Sequence, residues 1–157
     1  MKQKTIHQAT VHKTVRSPQE TAKVAVEFSK SVSPGEVVAF YGELGSGKTF
    51  FVKVLCKALG TRTEATSPSF TIMNEYQISG DSWICHFDFY RIEKEAELLN
   101  LGLDEFFYGE YICLIEWAEK VSSFLPPDYW EVKIHFVPDQ PEWRRIEIQR
   151  NVRSYEE

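Results

Sequence analysis

The chain has 157 residues, enough for one domain that buries a core without disulfide or metal staples. Its formal net charge of −5 gives no overall basic field to hold a nucleic-acid backbone, so any RNA role is expected to run through a partner, and neither DNA nor a membrane is an expected ligand. Cys56, Cys85 and Cys113 stand far apart with no C-x-x-C pair, which points to neither a disulfide framework nor a zinc site and fits a reducing cytoplasm. The Met1-Lys2-Gln3-Lys4 start has no apolar signal core, and no apolar run approaches membrane-spanning length.

Thr10 to Val15 reads as a first strand; His7 and His12, on the tail and on that strand, have nothing nearby to complete a metal site. Ser17-Pro18-Gln19-Glu20 is a helix start, with Ser17 as N-cap, Pro18 in the first turn and Glu20 at the capping-box position. Ala22, Ala25 and Phe28 are expected to face the core, and Pro34-Gly35 ends the helix. Val37-Val38-Ala39-Phe40-Tyr41 is short, apolar and partly β-branched, as in a buried strand.

Directly after that strand comes Gly42-Glu43-Leu44-Gly45-Ser46-Gly47-Lys48-Thr49, a complete G-x-x-x-x-G-K-S/T phosphate-binding loop. Its glycines let backbone N–H groups curl around a phosphate at a helix N-terminus, where unpaired donors and the helix dipole favour negative charge. Lys48 can then reach the β- and γ-phosphates, and the Thr49 hydroxyl can bind Mg²⁺. A glycine-rich turn that holds nothing would share the glycines but not the setting. Here Val52, Leu55, Cys56 and Leu59 form one helical stripe after the loop, ended by Gly60.

Thr61 to Ser69 is polar and contains Pro68, so it reads as a loop. Phe70 to Ile78 and Trp83 to Phe87 are strand-like runs around Ser79-Gly80-Asp81-Ser82, which predicts a hairpin. Lys94 to Leu101 reads as a short helix ended by Gly102, and Tyr111 to Ile115 as a strand buried on both faces. A helix near Ala118 to Phe124 is expected to stop before Pro126-Pro127. Trp130, Val132, Ile134 and Phe136 alternate, as do Ile146 and Ile148, predicting a closing antiparallel pair. Arg144, Arg145, Arg150 and Arg153 are assigned to a solvated face, with a local contact patch as the alternative. The fold class is α/β: a single P-loop NTPase-like domain over residues 1–157, with a mixed, mostly parallel central sheet flanked by helices and a disordered last few residues.

Phosphoryl transfer or hydrolysis also needs a carboxylate to hold Mg²⁺ or organise water, usually at the end of a buried strand. Asp88 ends Trp83 to Phe87 and Glu116 ends Tyr111 to Ile115, on the sheet edge that a parallel fold shares with the phosphate loop. A turn cap for Asp88 and a helix N-cap for Glu116 are the alternatives. Thr66-Ser67-Pro68-Ser69-Phe70-Thr71 lies where switch loops offer a hydroxyl to Mg²⁺ or the γ-phosphate, or else is a Ser/Thr-rich turn around a proline. Arg91, just past Asp88, is the internal arginine near the site, unless it serves an ordinary ion pair.

The loop Gly42 to Thr49, Ser67-Pro68-Ser69-Phe70-Thr71, His86-Phe87-Asp88-Phe89-Tyr90-Arg91, Leu101-Gly102-Leu103-Asp104-Glu105-Phe106-Phe107 and Ile115-Glu116-Trp117, in that order over nearly the whole chain, resemble the bacterial TsaE (YjeE) family. That family is the ATPase component of tRNA threonylcarbamoyladenosine biosynthesis. The resemblance implies ATP with Mg²⁺, Lys48, Asp88 and Glu116 as catalytic residues, and Thr49 and Glu116 at the metal. It further implies a TsaB–TsaD pair as partner, in which TsaD modifies adenosine 37 of ANN-decoding tRNAs while TsaE hydrolyses ATP to support turnover. The chain has Glu43 where that family commonly has Asp, Ser46 where Ala is common and Ser69 where Thr is common. The alternatives are a small-molecule P-loop kinase, which the lack of any Arg between Arg91 and Arg144 for a lid argues against, and a non-catalytic nucleotide sensor. GTP is disfavoured by the lack of an N/T-K-x-D motif.

Overall fold

Strands that are apolar on both faces end up in the middle of a sheet, and here they set its order. The computed structural model describes residues 4–68 and 70–154, with side chains from Val11 to Val152 except Ser69. In chain order the elements are β1 (Lys4–Val15), α1 (Pro18–Ser29), β2 (Val37–Tyr41), α2 (Lys48–Leu59), β3 (Met73–Gln77), β4 (Trp83–Asp88), a 3₁₀ turn (Glu95–Leu98), α3 (Leu103–Phe107), β5 (Ile112–Glu116), a second 3₁₀ segment (Ala118–Phe124), β6 (Asp128–Val137) and β7 (Gln140–Ser154). All seven strands form one mixed sheet in the order β1-β7-β6-β2-β5-β4-β3. The centre is parallel, through β6/β2, β2/β5 and β5/β4, while β1/β7, β7/β6 and β3/β4 are antiparallel.

The two-residue period of each strand splits the core between two faces. On one, Val38 and Phe40 of β2, Ile84 of β4 and Ile112 and Leu114 of β5 pack under α1 and α2. On the other, Val37, Ala39, Cys85, Phe87, Cys113 and Ile115 are covered by α3, the 3₁₀ segments and their loops through Leu98, Leu103, Phe107, Ala118 and Val121. All three thiols are buried and free, and burial pushes those of Cys56 and Cys85 up to about 12. No helix among the described residues is long and apolar enough to cross a membrane.

Most element expectations hold, with corrections that have local causes. The first strand reaches back to Lys4, pairing with β7 as far as Ser154. The Ser17 hydroxyl caps α1 by accepting from the Glu20 N–H, but the Glu20 carboxylate returns to the N–H of Arg16, one residue before the cap. Thr21, Val24, Ala25 and Phe28 are buried there, and Ala22 is only half-buried. The strand expected from Phe70 starts at Met73, because the Pro68 carbonyl accepts from Thr71 and Ile72 and holds Ile72 at φ +69°. The helix expected over Lys94 to Leu101 is the 3₁₀ turn alone; Gly102, at φ +64°, starts α3 instead of ending a helix. Ala118–Phe124 is also 3₁₀, broken at Val121.

The arginine assignment is corrected too. Arg144, Ile146, Ile148 and Arg150 share one face of β7, and its isoleucines are buried, so these two arginines close the ends of a core stripe. Arg150 pairs with Glu36 and Asp128 and lies over the Trp130 ring. Arg145 is exposed. The Arg153 side chain, the His7 side chain and the expected disorder of the last few residues fall outside what is described.

Phe51 of α2, fully buried, meets the ring of Phe28 at 6.4 Å and of Phe40 at 5.6 Å, joining α1, α2 and β2. Phe51→Ala is expected to lower unfolding free energy by about 3–5 kcal/mol in denaturant titrations, whereas a truncation of this kind outside the core stays within about 0.5 kcal/mol. The adjacent Phe50, 40% exposed, supplies that comparison, and equal losses for the two alanine variants would contradict this packing.

Candidate active site

The loop from Gly42 to Gly47 leaves β2 pressed against β6. A Cβ on Gly42 would fall 2.6 Å from the Ile134 carbonyl, so no side chain fits there. Gly47 takes φ +110° and turns the chain into α2 without any side-chain cap, leaving first-turn N–H groups for an anion. The Ser46 N–H closes the loop on the Glu43 carbonyl at 3.0 Å, and the guanidinium Nε of Arg144 donates to the Ser46 carbonyl at 2.9 Å. Arg144 thus braces the back of the loop while lying over the Phe136 ring.

Lys48, 5% exposed, turns back over its own loop. Its Nζ donates to the carbonyls of Gly42 and, at 3.2 Å, Glu43, and sits 4.3 Å from the centre of the Trp117 ring. Burial pulls its ammonium below the ordinary lysine value, against the opposing pull of Glu116, Glu119 and Asp88. Trp117 holds φ +58°, unusual for a bulky residue, and packs on Tyr90 at 5.0 Å.

Beyond Lys48 the sheet edge brings the acids in. Asp88 and Glu116 are direct register partners at the ends of β4 and β5. Glu116, 2% exposed, accepts from the Thr49 hydroxyl at 2.6 Å on Oε1, and its Oε2 lies 2.6 Å from His86 Nε2. It therefore does not cap the segment that follows, whose N-cap position is Trp117. Asp88 does make a turn cap, accepting from the Tyr90 N–H at 2.9 Å, and it also lines the cleft. That cleft, about 300 Å³, runs from Gly45, Gly47, Lys48 and Thr49 across to Asp88 and Glu116, with Ser67 on its far wall.

Ser67 brings the Thr66–Thr71 segment to the cleft. The segment is tied to β3: the Tyr76 hydroxyl accepts from the Thr66 N–H at 2.9 Å and donates to its carbonyl at 3.0 Å. Phe70 is 83% exposed, with the Arg91 guanidinium 4.4 Å from its ring centre, so Arg91 is stacked there rather than ion-paired among the described residues. Ser69 lies outside the described residues.

A family model described as threonylcarbamoyl adenosine biosynthesis protein TsaE matches residues 15–146. The chain belongs to the TsaE family. It is 40% identical over 118 residues to the tRNA threonylcarbamoyladenosine biosynthesis protein TsaE of Bacillus subtilis, covering 75% of this chain and 73% of that one. The protein of the same name from Treponema pallidum is 40% identical over 111 residues, 71% of this chain and 81% of that one. Among solved structures, the crystal structure of Bacillus subtilis YdiB superposes with a TM-score of 0.68 at 33% identity, over 95% of this chain and 87% of that one.

Of the residues expected at a TsaE nucleotide site, Gly45, Gly47, Lys48, Thr49, Asp88 and Glu116 converge on one cleft, with Leu44 at its rim. Gly42, Glu43 and Ser46 shape the loop behind it. Reading the sequence missed His86 and Arg144 as site residues. The alternation of Ile84, His86 and Asp88 on one face of β4 was the available signal for His86. Nothing in the sequence linked Arg144 to a loop 98 positions away.

Burial raises the Asp88 carboxyl above its usual value and Glu116 adds to this, against the Tyr90 N–H, His86 and Lys48. The folded state therefore holds this proton more tightly than the unfolded chain, and stability falls as pH rises from the unfolded value of 3.8 through the folded one. Asp88→Asn removes that penalty. In ligand-free protein it is expected to raise the melting temperature at neutral pH, with the gain shrinking on acidification; a gain independent of pH would contradict the assignment.

Proposed function

We propose that this protein is a Mg²⁺-dependent ATPase that supports threonylcarbamoylation of adenosine 37 in ANN-decoding tRNAs, working with a TsaB–TsaD pair in the cytoplasm. One observation carries the ATPase reading: the Thr49 hydroxyl and the Glu116 carboxylate meet at 2.6 Å at the start of α2, beside the Lys48 ammonium and Asp88. Among the described residues no group of three or more His, Cys, Asp and Glu side chains could cage a metal. That donor set suits Mg²⁺, which takes one or two protein oxygens and fills its other positions with water and phosphate.

Thr49 and Glu116 would hold the ion, which when bound neutralises charge building between the β- and γ-phosphates. The remaining work falls to the chain itself. N–H groups at the start of α2 receive the phosphates. Lys48 exchanges the Gly42 and Glu43 carbonyls for phosphate oxygens, and Asp88 orients the attacking water. The Thr66–Thr71 segment, with Ser67 at the cleft, is the switch.

Neither Arg91, which stacks on Phe70, nor Arg144, which holds Ser46 from behind, lines the cleft. The missing cation or the ordering of the switch is left to a partner. Exposed apolar side chains support such docking: Leu44, Phe50 and Tyr90 line the cleft mouth and are 67%, 40% and 45% exposed. The net charge of −5 favours docking on protein over gripping tRNA directly.

Lys48→Ala is expected to cut ATP binding or hydrolysis by roughly 100-fold or more in a protein that still folds. Glu116→Ala should weaken the Mg²⁺ dependence of hydrolysis more than metal-free nucleotide binding. Calorimetric ATP binding and Mg²⁺ titrations of turnover test both, and wild-type behaviour in either folded variant would sink the reading.

Adding purified TsaB–TsaD is expected to raise ATP turnover by roughly tenfold or more. Equal single-turnover rates with and without the pair, at concentrations where binding is confirmed, would refute partner activation.

A further inference from the structure

Among the described residues His86 is the one histidine inside the sheet core, and it breaks the pattern around it. It stands in β4 between Asn74 of β3 and Leu114 of β5, on the same face as Ile84, with 0% exposure. Its Nδ1 is buried with no hydrogen-bond partner among the described residues, although an aliphatic side chain would fill this apolar face with no unmatched nitrogen. What the imidazole adds is one contact, Nε2 to Glu116 Oε2 at 2.6 Å. That contact calls for a hydrogen on Nε2, which donates to the carboxylate. Glu116 is two register positions along the neighbouring strand, so the bond runs diagonally across the β4/β5 pair and fixes the carboxylate's rotation. With Oε2 held by His86, Oε1 is the oxygen turned to Thr49.

On the magnesium reading proposed above, we infer that His86 is a positioning residue for the metal site: it occupies Oε2 of Glu116 so that Oε1 and the Thr49 hydroxyl face the cleft together. It touches neither nucleotide nor metal. Its ring also lies 6.4 Å from that of Tyr76, whose hydroxyl holds Thr66, so the carboxylate and the base of the switch segment rest against one imidazole. Oriented carboxylate ligands depend on such outer contacts, and losing one typically weakens metal affinity by roughly 10- to 100-fold.

The test compares His86→Leu, which removes the donor, with His86→Gln, whose amide N–H can restore it. Mn²⁺ binding in the presence of a non-hydrolysable ATP analogue is read by electron paramagnetic resonance, analogue affinity without metal by calorimetry, and melting temperature for each variant. The expected result is a loss of Mn²⁺ affinity of roughly 10- to 100-fold in the Leu variant, recovery of most of it in the Gln variant, and nearly unchanged metal-free affinity in both. Wild-type Mn²⁺ affinity in the Leu variant would overturn the inference. So would equal losses in Leu and Gln that follow the melting temperature, the mark of a purely structural histidine. Glu116→Ala separates this from the parent reading. If that variant loses metal affinity while His86→Leu does not, only the inference fails; if it keeps wild-type metal affinity, the magnesium site itself is wrong and the inference falls with it.

Discussion

A carboxylate buried at the end of a strand is tolerable only if both of its oxygens are bonded, and Glu116 meets that condition with two side chains from two other elements. Thr49 comes from the first turn of α2 and His86 from the middle of β4. Through Glu116 the helix that follows the phosphate loop, the strand beside it and the next strand out are locked into one arrangement. The parallel register of β2, β5 and β4 makes this possible, because it puts their C-terminal ends on one edge.

Polar groups around the loop satisfy each other. Lys48 is held by carbonyls of its own loop, and the Thr49 hydroxyl is spent on Glu116. On the nucleotide-binding reading proposed above, binding would be an exchange of bonds more than a creation of them, since Lys48 would leave the Gly42 and Glu43 carbonyls. The buried ammonium, lowered by desolvation, and the raised Asp88 carboxyl are each poorly solvated where they stand.

The departures from the commonest family pattern fall in places of different sensitivity. Glu43 is exposed at the outer turn of the loop, where its length is unconstrained. Ser46 is 2% exposed and its hydroxyl has no partner among the described residues, so this position carries a polar atom that alanine would not. Arg144 bonds the Ser46 backbone rather than its side chain, so the brace does not depend on the substitution.

Much of this protein is local and therefore legible in one dimension. The G-x-x-x-x-G-K-T loop fits only between a buried strand and a helix, and continuous apolar runs such as Ile112 to Ile115 belong inside a sheet. Acids at the ends of such strands fall near that loop once the sheet is parallel, so Asp88 and Glu116 could be named beforehand. Short helices were harder, since Lys94 to Leu101 and Ala118 to Phe124 have helical composition but settle into 3₁₀ turns, the second broken at Val121, and the five-residue α3 hid behind a glycine read as a terminator. What only the tertiary structure decided are pairings across long separations: Thr49 with Glu116, 67 positions on, His86 with Glu116, and Arg144 with Ser46. Strand period shows that two side chains can share a face, but which strands become neighbours, and in what register, is settled by packing the whole sheet at once.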